Sequence, residues 1–125
     1  MIAVIFEVVP GHGKLNEYLD IASGLAHELK KIDGFISVER FQSMTDPGKF
    51  LSLSIWRDEE CIAQWRNTEL HRNAQSEGRN SIFRDYRLRV ANIIRDYGMH
   101  DREQAPADSK KIHNQNERYR DHPGQ

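Results

Sequence analysis

The segment FISVERFQSMTDPGKFLSLSIWR, residues 35–57, decides the fold of this chain. Residues 35–44 alternate between apolar and polar side chains, as a half-buried strand does. TDPG, residues 45–48, is a turn signal, because proline presets one φ angle and glycine tolerates the next. Residues 49–57 form a second strand whose side chains divide between two faces: Leu51, Leu53 and Ile55 against Ser52, Ser54 and Trp56. The segment therefore predicts an antiparallel hairpin.

The sequence before the hairpin predicts a strand and a helix. IAVIFEVV, residues 2–9, is β-branched and aromatic on both faces, interrupted only by Glu7, which is typical of a strand covered on both sides. Residues 13–32 have a helical period of apolar positions. This stripe comprises Leu15, Tyr18, Leu19, Ala22, Leu25, Ala26, Leu29 and Ile32. Gly34 ends the helix, because glycine takes the left-handed conformation without strain.

The sequence after the hairpin predicts a broken helix and a last strand. Asp58 is a predicted N-cap, followed by two acidic residues in the first turn. The helix carries Trp65, is interrupted at 67–68, and resumes as a second short helix through Gln75. Residues 85–98 return to a strand pattern. The element order is therefore βαββαβ, which predicts an α+β, ferredoxin-like domain with a four-stranded antiparallel sheet.

Length and composition are those of one globular domain. The chain has 125 residues, of which 38% are hydrophobic and 30% charged. Eighteen basic and 19 acidic side chains give a net charge of -1, which excludes a strong electrostatic footprint for nucleic acid or an anionic membrane. The apolar N-terminal stretch is too short for a membrane span. The single cysteine favours a reducing cytoplasm, and the scattered histidines form no zinc pattern.

The chain divides into two regions by composition. Residues 1–98 carry the predicted elements, whereas residues 99–125 are rich in charge and contain almost nothing to bury. We expect the second region to be a polar C-terminal tail, either extended or in contact with a partner.

The predicted sheet implies a partner subunit. A ferredoxin-like sheet covers one face with its own helices, yet the strands here carry apolar side chains on both faces. A bare apolar face of that size is a liability in water. The sequence therefore predicts a twofold homodimer in which two sheets pack against each other.

Four segments of the chain resemble the antibiotic biosynthesis monooxygenase (ABM) domain family. They are IFEVVPGHGKLNEYL, IDGFISVERFQSMTDPGKFLSLSIWRDEE, QWRNTELHRNAQ and DYRLRVANIIRDYG. The resemblance spans residues 1–98 and implies a dimeric α/β barrel built from two ferredoxin-like subunits. It also implies several activities, because the family includes cofactor-free monooxygenases that oxidise polycyclic phenols to quinones, haem-degrading oxygenases, and proteins with no assigned activity.

The haem-degrading pattern fits the chain at one of three positions. That branch of the family uses an Asn in the first strand, a Trp in the second helix and a His about ten residues later. Trp65 matches the Trp, but the first strand has no Asn, and the tenth residue after Trp65 is Gln75. Haem binding or degradation therefore stays the lower alternative, and the leading hypothesis requires neither a cofactor nor a metal.

The leading hypothesis is a cofactor-independent monooxygenase that oxidises a small aromatic or quinol-like molecule with O2. Trp65 would form the aromatic wall, His71 the base, and Arg87 the contact to the substrate anion. Further substrate-binding candidates are Trp56, Tyr86, Arg89, Ser52, Ser54 and Glu39. Three of these assignments have a structural alternative: Trp65 as a core residue, His71 as a satisfied or half-exposed structural residue, and the pair Arg87 and Arg89 on a solvated or interface side. A dimeric small-molecule binder without catalysis is the remaining alternative.

Overall fold

The computed structural model describes residues 1–68 and 82–110. Within these residues the chain forms a four-stranded antiparallel sheet and two α-helices. In chain order the elements are β1 (Ile2–Pro10), α1 (Leu15–Leu29), β2 (Phe35–Gln42), β3 (Phe50–Trp56), α2 (Glu59–Arg66) and β4 (Phe83–Asn92). The strand order is β2-β3-β1-β4, with every neighbouring pair antiparallel. The predicted ferredoxin-like α+β fold is confirmed.

The hairpin of β2 and β3 is formed as the sequence predicts. Glu39 pairs with Leu53, and Gln42 pairs with Phe50 next to the turn. In the turn, the Lys49 N–H donates to the Asp46 carbonyl at 2.9 Å. A bulge between Phe35 and Ser37 shifts the register at the start of β2.

Cross-strand pairing divides the sheet into two faces. In an antiparallel pair, residues directly opposite each other point to the same face. One face, called the helix-facing side below, carries Ile2, Val4, Phe6 and Val8 of β1 opposite Trp56, Ser54, Ser52 and Phe50 of β3. The other, called the outer face, carries Ala3, Ile5, Glu7 and Val9 of β1 with Leu51, Leu53 and Ile55 of β3. The two predicted faces of β3 are therefore confirmed.

The core between the helices and the sheet has two parts. The tryptophan cluster consists of Leu29, Trp56, Cys61, Ile62 and Trp65. The tyrosine cluster consists of Val8, Tyr18 and Ile82. Helix α1 links the two clusters, because Tyr18 lies in one and Leu29 in the other.

The buried stripe of α1 differs in part from the predicted one. Leu15 and Leu19 are exposed, whereas Ile21 packs against the tyrosine cluster. The apolar stripe of α1 is wider than the strip that the sheet can cover, so the contact leaves one edge of the stripe in solvent.

Strand β4 ends earlier than the sequence pattern predicts. It stops at Asn92, not at residue 98, and Asn92 pairs with Ile2 at the very start of β1. Because β1 begins at Ile2, the ladder has no strand residue to pair with beyond Asn92, although Ile93 and Ile94 are apolar.

The described chain divides into two units at the end of β4, the first ending at Asn92 and the second beginning at Ile93. The described part of the second unit is held by local contacts. The Arg102 guanidinium lies over the Tyr97 ring at 5.2 Å and donates to the carbonyls of Gly98 and Ser109. The Asp96 N–H donates to Gln104 Oε1 at 2.9 Å.

Gly34 joins α1 to β2 at a position that only glycine fits. Its φ angle is +91°, which lies in the left-handed region. The Gly34 carbonyl accepts a hydrogen bond from the Arg57 N–H at 2.8 Å. A Cβ atom at this position would collide with the Sγ of Cys61 in the tryptophan cluster.

Gly34→Ala should therefore destabilise the protein by about 2–4 kcal/mol, from left-handed strain and overpacking together. Gly24→Ala is the matched control, because Gly24 lies inside α1 with open space around it. That substitution should raise stability by roughly 0.5–1 kcal/mol. Denaturant unfolding followed by circular dichroism measures both changes. Equal stability of the two variants would contradict the assignment of Gly34.

Candidate active site

The two tryptophans of the predicted site meet on the helix-facing side. Trp56 is 1% exposed and Trp65 is 7% exposed, and both belong to the tryptophan cluster. Phe35 packs edge-on against Trp56 with ring centroids 5.3 Å apart. Trp65 is thus a core residue, which agrees with its structural alternative. Its role as the wall of a substrate cavity stays a prediction.

Helix α2 is fixed at its N-terminus, and this sets the position of Trp65. Asp58 caps the helix, since its Oδ1 accepts a hydrogen bond from the Cys61 N–H at 3.0 Å. Arg57 donates to Asp58 and to Asp33, at 3.1 and 3.2 Å, and to the Cys61 Sγ at 3.2 Å. These contacts tie the helix to the end of β3 and to the loop after α1.

The Cys61 and Asp58 side chains perturb each other. Hydrogen bonds from the Cys61 thiol and backbone N–H, together with the Arg57 guanidinium, lower the pKa of Asp58 to about 2. The same contact with Asp58, followed by burial, raises the pKa of the Cys61 thiol. Cys61 is therefore a buried, protonated thiol rather than a nucleophile.

Ser54 supports the position of Trp56. The Trp56 Nε1–H donates to the Ser54 Oγ at 2.9 Å, and both groups are buried. The bond satisfies the only polar atom of the indole ring inside the core. Ser52 lies two residues earlier on the same side of β3. The predicted candidates Ser52, Ser54 and Trp56 therefore share one side of the sheet.

Tyr86 also lies on the helix-facing side, opposite Val8. Its ring packs against Phe6 at 5.7 Å and Phe83 at 5.9 Å, and the residue is 46% exposed. Strand β4 is an edge strand, so Tyr86 stands at the border of the helix-facing side.

The remaining charged candidates lie on the outer face. Arg87 pairs with Glu7, Arg89 with Ile5, and Glu39 with Leu53. Within one subunit the sheet therefore separates Arg87, Arg89 and Glu39 from the two tryptophans. Their assignment to the site stays a prediction, but they cannot contact a molecule bound beneath the helices of their own subunit.

Glu7, a carboxylate in an apolar strand, forms ion pairs with two basic side chains. The Arg89 Nη1 lies 3.1 Å from Glu7 Oε1, and the Lys49 Nζ lies 3.2 Å from Glu7 Oε2. The hydrogen bond from Lys49 is the main cause that lowers the pKa of Glu7, with a smaller contribution from Arg89. Arg40 lies on the helix-facing side instead.

The predicted base, His71, lies outside the described residues, as does the second short helix predicted through Gln75. Conversely, sequence reasoning missed two polar groups on the helix-facing side, Arg40 and the Tyr18 hydroxyl. Arg40 pairs with Ser52 and donates to the Ala22 carbonyl of α1. In a strand, residues two apart point to the same side, so Arg40 lies on the same side of β2 as Val38. This alternation could have identified Arg40 from the sequence.

The donors available on this side do not fit the haem-degrading pattern. The helix-facing residues of β1 are Ile2, Val4, Phe6 and Val8, none of which supplies the amide that the pattern requires. Within residues 1–68 and 82–110, no three His, Cys, Asp or Glu side chains are grouped to hold a metal ion. In the same residues no helix is both long and apolar enough to cross a membrane.

An antiparallel βαββαβ sheet with an aromatic core beneath its helices defines a small ferredoxin-like α+β domain. The model of the family "Antibiotic biosynthesis monooxygenase" matches residues 1–77 of this chain. The chain belongs to the antibiotic biosynthesis monooxygenase family.

Two relatives show how far the similarity extends. "Jasmonate monooxygenase ABM" of Pyricularia oryzae is 47% identical over 93 residues, which are 74% of this chain and 43% of that protein. The uncharacterized protein YqjZ of Bacillus subtilis is 28% identical over 93 residues, which are 74% of this chain and 79% of that protein. The chain thus spans less than half the length of the first relative.

Solved structures share the fold at low sequence identity. Rv0793 from Mycobacterium tuberculosis aligns with a TM-score of 0.70 at 14% identity, over 78% of this chain and 98% of that one. A protein described as an antibiotic biosynthesis monooxygenase aligns with a TM-score of 0.66 at 16% identity, over 75% of this chain and 99% of that one. At these identities the likeness shows the fold alone.

The capping carboxylate of α2 should make stability depend on acid. Since the pKa of Asp58 falls from its usual 3.8 to about 2 on folding, its charged form stabilises the folded state above pH 3.8. That contribution is lost as the pH falls toward 2. Asp58→Asn keeps an oxygen acceptor for the Cys61 N–H but does not titrate, so its Tm should decline less steeply below pH 4.

Asp20→Asn is the matched control, since Asp20 is an exposed carboxylate on α1. Thermal melts between pH 2 and pH 6 measure the effect. A wild-type slope in Asp58→Asn, or an equally flattened slope in Asp20→Asn, would contradict the assignment.

Proposed function

We propose that the protein is a cofactor-independent monooxygenase that oxidises a small aromatic or quinol-like molecule with O2. The observation that carries the proposal is the 47% identity over 93 residues with a protein named as a monooxygenase. Supporting it, the helix-facing side is lined with aromatic side chains that suit an aromatic ligand, from Trp56 and Phe35 at one end to Phe6 and Tyr86 at the other.

The reaction balances without an external reductant when the substrate is a phenol. The ring C–H and phenolic O–H bonds break, one oxygen atom of O2 becomes a new ring carbonyl, and the phenolic C–O bond becomes the second carbonyl. The other oxygen atom leaves as water with the two hydrogens. The substrate supplies all four electrons. Its anion gives them up far more readily than the neutral phenol, so the site needs a base and a group that stabilises the anion. We propose His71 as the base and Trp65 as the aromatic wall.

A second substrate class follows from the name of the relative, which specifies jasmonate. Conversion of a C–H bond to an alcohol uses one oxygen atom of O2, while reduction of the other atom to water takes two electrons and two protons. Such a reaction therefore needs an added reductant. The requirement for a reductant separates the two substrate classes experimentally.

Oxygen uptake with 1-naphthol and with jasmonate, each with and without NADPH, tests the proposal. The phenol should consume O2 without NADPH and yield a product 14 mass units heavier, from the gain of one oxygen and the loss of two hydrogens. A product 16 mass units heavier, formed only when jasmonate and NADPH are both present, would instead support the second substrate class. Binding with no oxygen uptake in any condition would contradict both and favour a non-catalytic binder.

His71→Ala should lower kcat for the active substrate by at least about 100-fold, the usual lower contribution of a general base. His27→Ala is the matched control, because His27 is exposed on α1. Steady-state oxygen consumption measures both variants, and circular dichroism checks their folding. An unchanged kcat in His71→Ala would remove this residue from the mechanism. A Soret shift on adding hemin, abolished by the same variant, would support the haem alternative.

We further propose that two copies associate through the outer face, as the family resemblance implies, in the reducing cytoplasm that the single buried thiol favours. The apolar side chains of this face include Ile5, Leu51, Leu53, Ile55 and the half-exposed Phe41. Burial of such a face against a second sheet removes a large apolar area from water.

Phe41→Glu should dissociate this dimer, because it places a charge in the proposed interface. Phe41 is 43% exposed in the single subunit, so the substitution should leave the monomer folded. Met44→Glu is the control, because Met44 lies between the end of β2 and the turn and is 98% exposed. Analytical ultracentrifugation should show a dimer for the wild type and for Met44→Glu, and a monomer for Phe41→Glu. A monomeric wild type would contradict the proposal.

A further inference from the structure

Polar side chains interrupt the apolar helix-facing side between the tryptophan cluster and the tyrosine cluster. Arg40 of β2 pairs with Ser52 of β3, and Ser52 pairs with Phe6 of β1. In the next row toward the tyrosine cluster, Phe50 pairs with Val8 and with Gln42, whose amide donates to the Pro47 carbonyl. In the next row toward the tryptophan cluster, the Ser54 hydroxyl accepts a hydrogen bond from the Trp56 indole. The sheet therefore presents a cation and a hydroxyl beneath the middle of α1.

The Arg40 guanidinium is partly buried and reaches α1. Its Nη2 donates to the Ala22 carbonyl at 2.6 Å. A guanidinium carries five N–H donors, and among the described residues the bond to Ala22 uses one of them, which leaves donors for a further acceptor.

No carboxylate among the described residues forms an ion pair with Arg40, in contrast to two other arginines. Arg57 is bound by Asp33 and Asp58, and Arg89 by Glu7. The half-buried Arg40 has no carboxylate counter-ion among the described residues, so an anionic ligand would meet a positive charge that is not already neutralised. The planar fork of arginine matches an oxyanion, and a carboxylate can accept two parallel hydrogen bonds from it.

Tyr18 adds a second group from α1. It is buried between Phe50 and Phe83, with ring centroids 6.2 and 5.9 Å away. Burial raises the pKa of the phenol, and the nearby positive charge of Arg40 lowers it in part. The hydroxyl therefore stays protonated at neutral pH and can act as a hydrogen-bond donor on the helix-facing side.

We infer that Arg40, with Ser52 and Tyr18, forms an oxyanion-binding site between α1 and the sheet, which holds the carboxylate or phenolate of a small aromatic molecule. The inference rests on the proposed function only in taking this molecule to be its substrate. Arg40 lies on the same side of the sheet as the two tryptophans. Within one subunit, Arg87 and Arg89 lie on the other side.

Binding of 1-naphthoate and of its uncharged methyl ester tests the site, measured by isothermal titration calorimetry under argon so that no turnover occurs. Arg40→Gln should weaken 1-naphthoate at least about tenfold, as expected for loss of a charged hydrogen bond, and should leave the ester unchanged. Arg40→Lys, which keeps the charge but not the fork, should fall between wild type and Arg40→Gln. Arg84→Gln removes an exposed arginine of β4 and is the control that should bind both probes normally.

Titration of 1-naphthol absorbance with the protein in excess distinguishes the two oxyanions. A lowered ionisation pH of bound naphthol, lost in Arg40→Gln, assigns the site to a phenolate; tight naphthoate binding with no such shift assigns it to a carboxylate. The site is overturned if wild type binds neither anion, or if Arg40→Gln weakens acid and ester equally, as loss of a structural contact to α1 would. Anion binding without oxygen uptake in the aerobic assay would refute the proposed function and leave the site standing.

Discussion

The packing of the Trp56 side chain of β3 against the two helices is the contact on which the rest of the structure depends. It fixes which side of the sheet faces the helices, because the indole joins Leu29 of α1 to Trp65 of α2. The side-chain period of a strand is two, so this one choice assigns every other residue of β3 and its neighbours to a face. The bond from the indole to Ser54 makes burial of the ring possible without an unpaired donor.

The same rule separates the charges of the molecule into two sets with different surroundings. On the outer face, Glu7 forms ion pairs with Lys49 and Arg89, so its carboxylate is neutralised within the subunit. On the helix-facing side, Arg40 binds a backbone carbonyl and no carboxylate of the described residues. A reaction that forms a substrate anion next to the aromatic rings would require a cation on this helix-facing side.

Much of the fold and part of the candidate site could be predicted from the pattern of the sequence. The hairpin, the two faces of β3 and the Asp58 cap depend on local rules, and the structure confirms them. The end of β4 could not be read in this way, because it is set by the length of β1 and not by the apolar residues that follow Asn92. The exposure of Leu15 and Leu19 likewise depends on how much of α1 the sheet can cover.

The sequence by itself determined the element order, the family and the types of residue available for a site, because these follow from periodicity, turn chemistry and resemblance. Only the tertiary structure decided which of those residues meet. Residues far apart in the chain, Tyr18, Arg40 and Ser52, come to one side of the sheet, while Arg87 and Arg89 go to the other. The physical reason is that strand pairing sets the register between distant segments, and a shift of one residue would exchange the two faces.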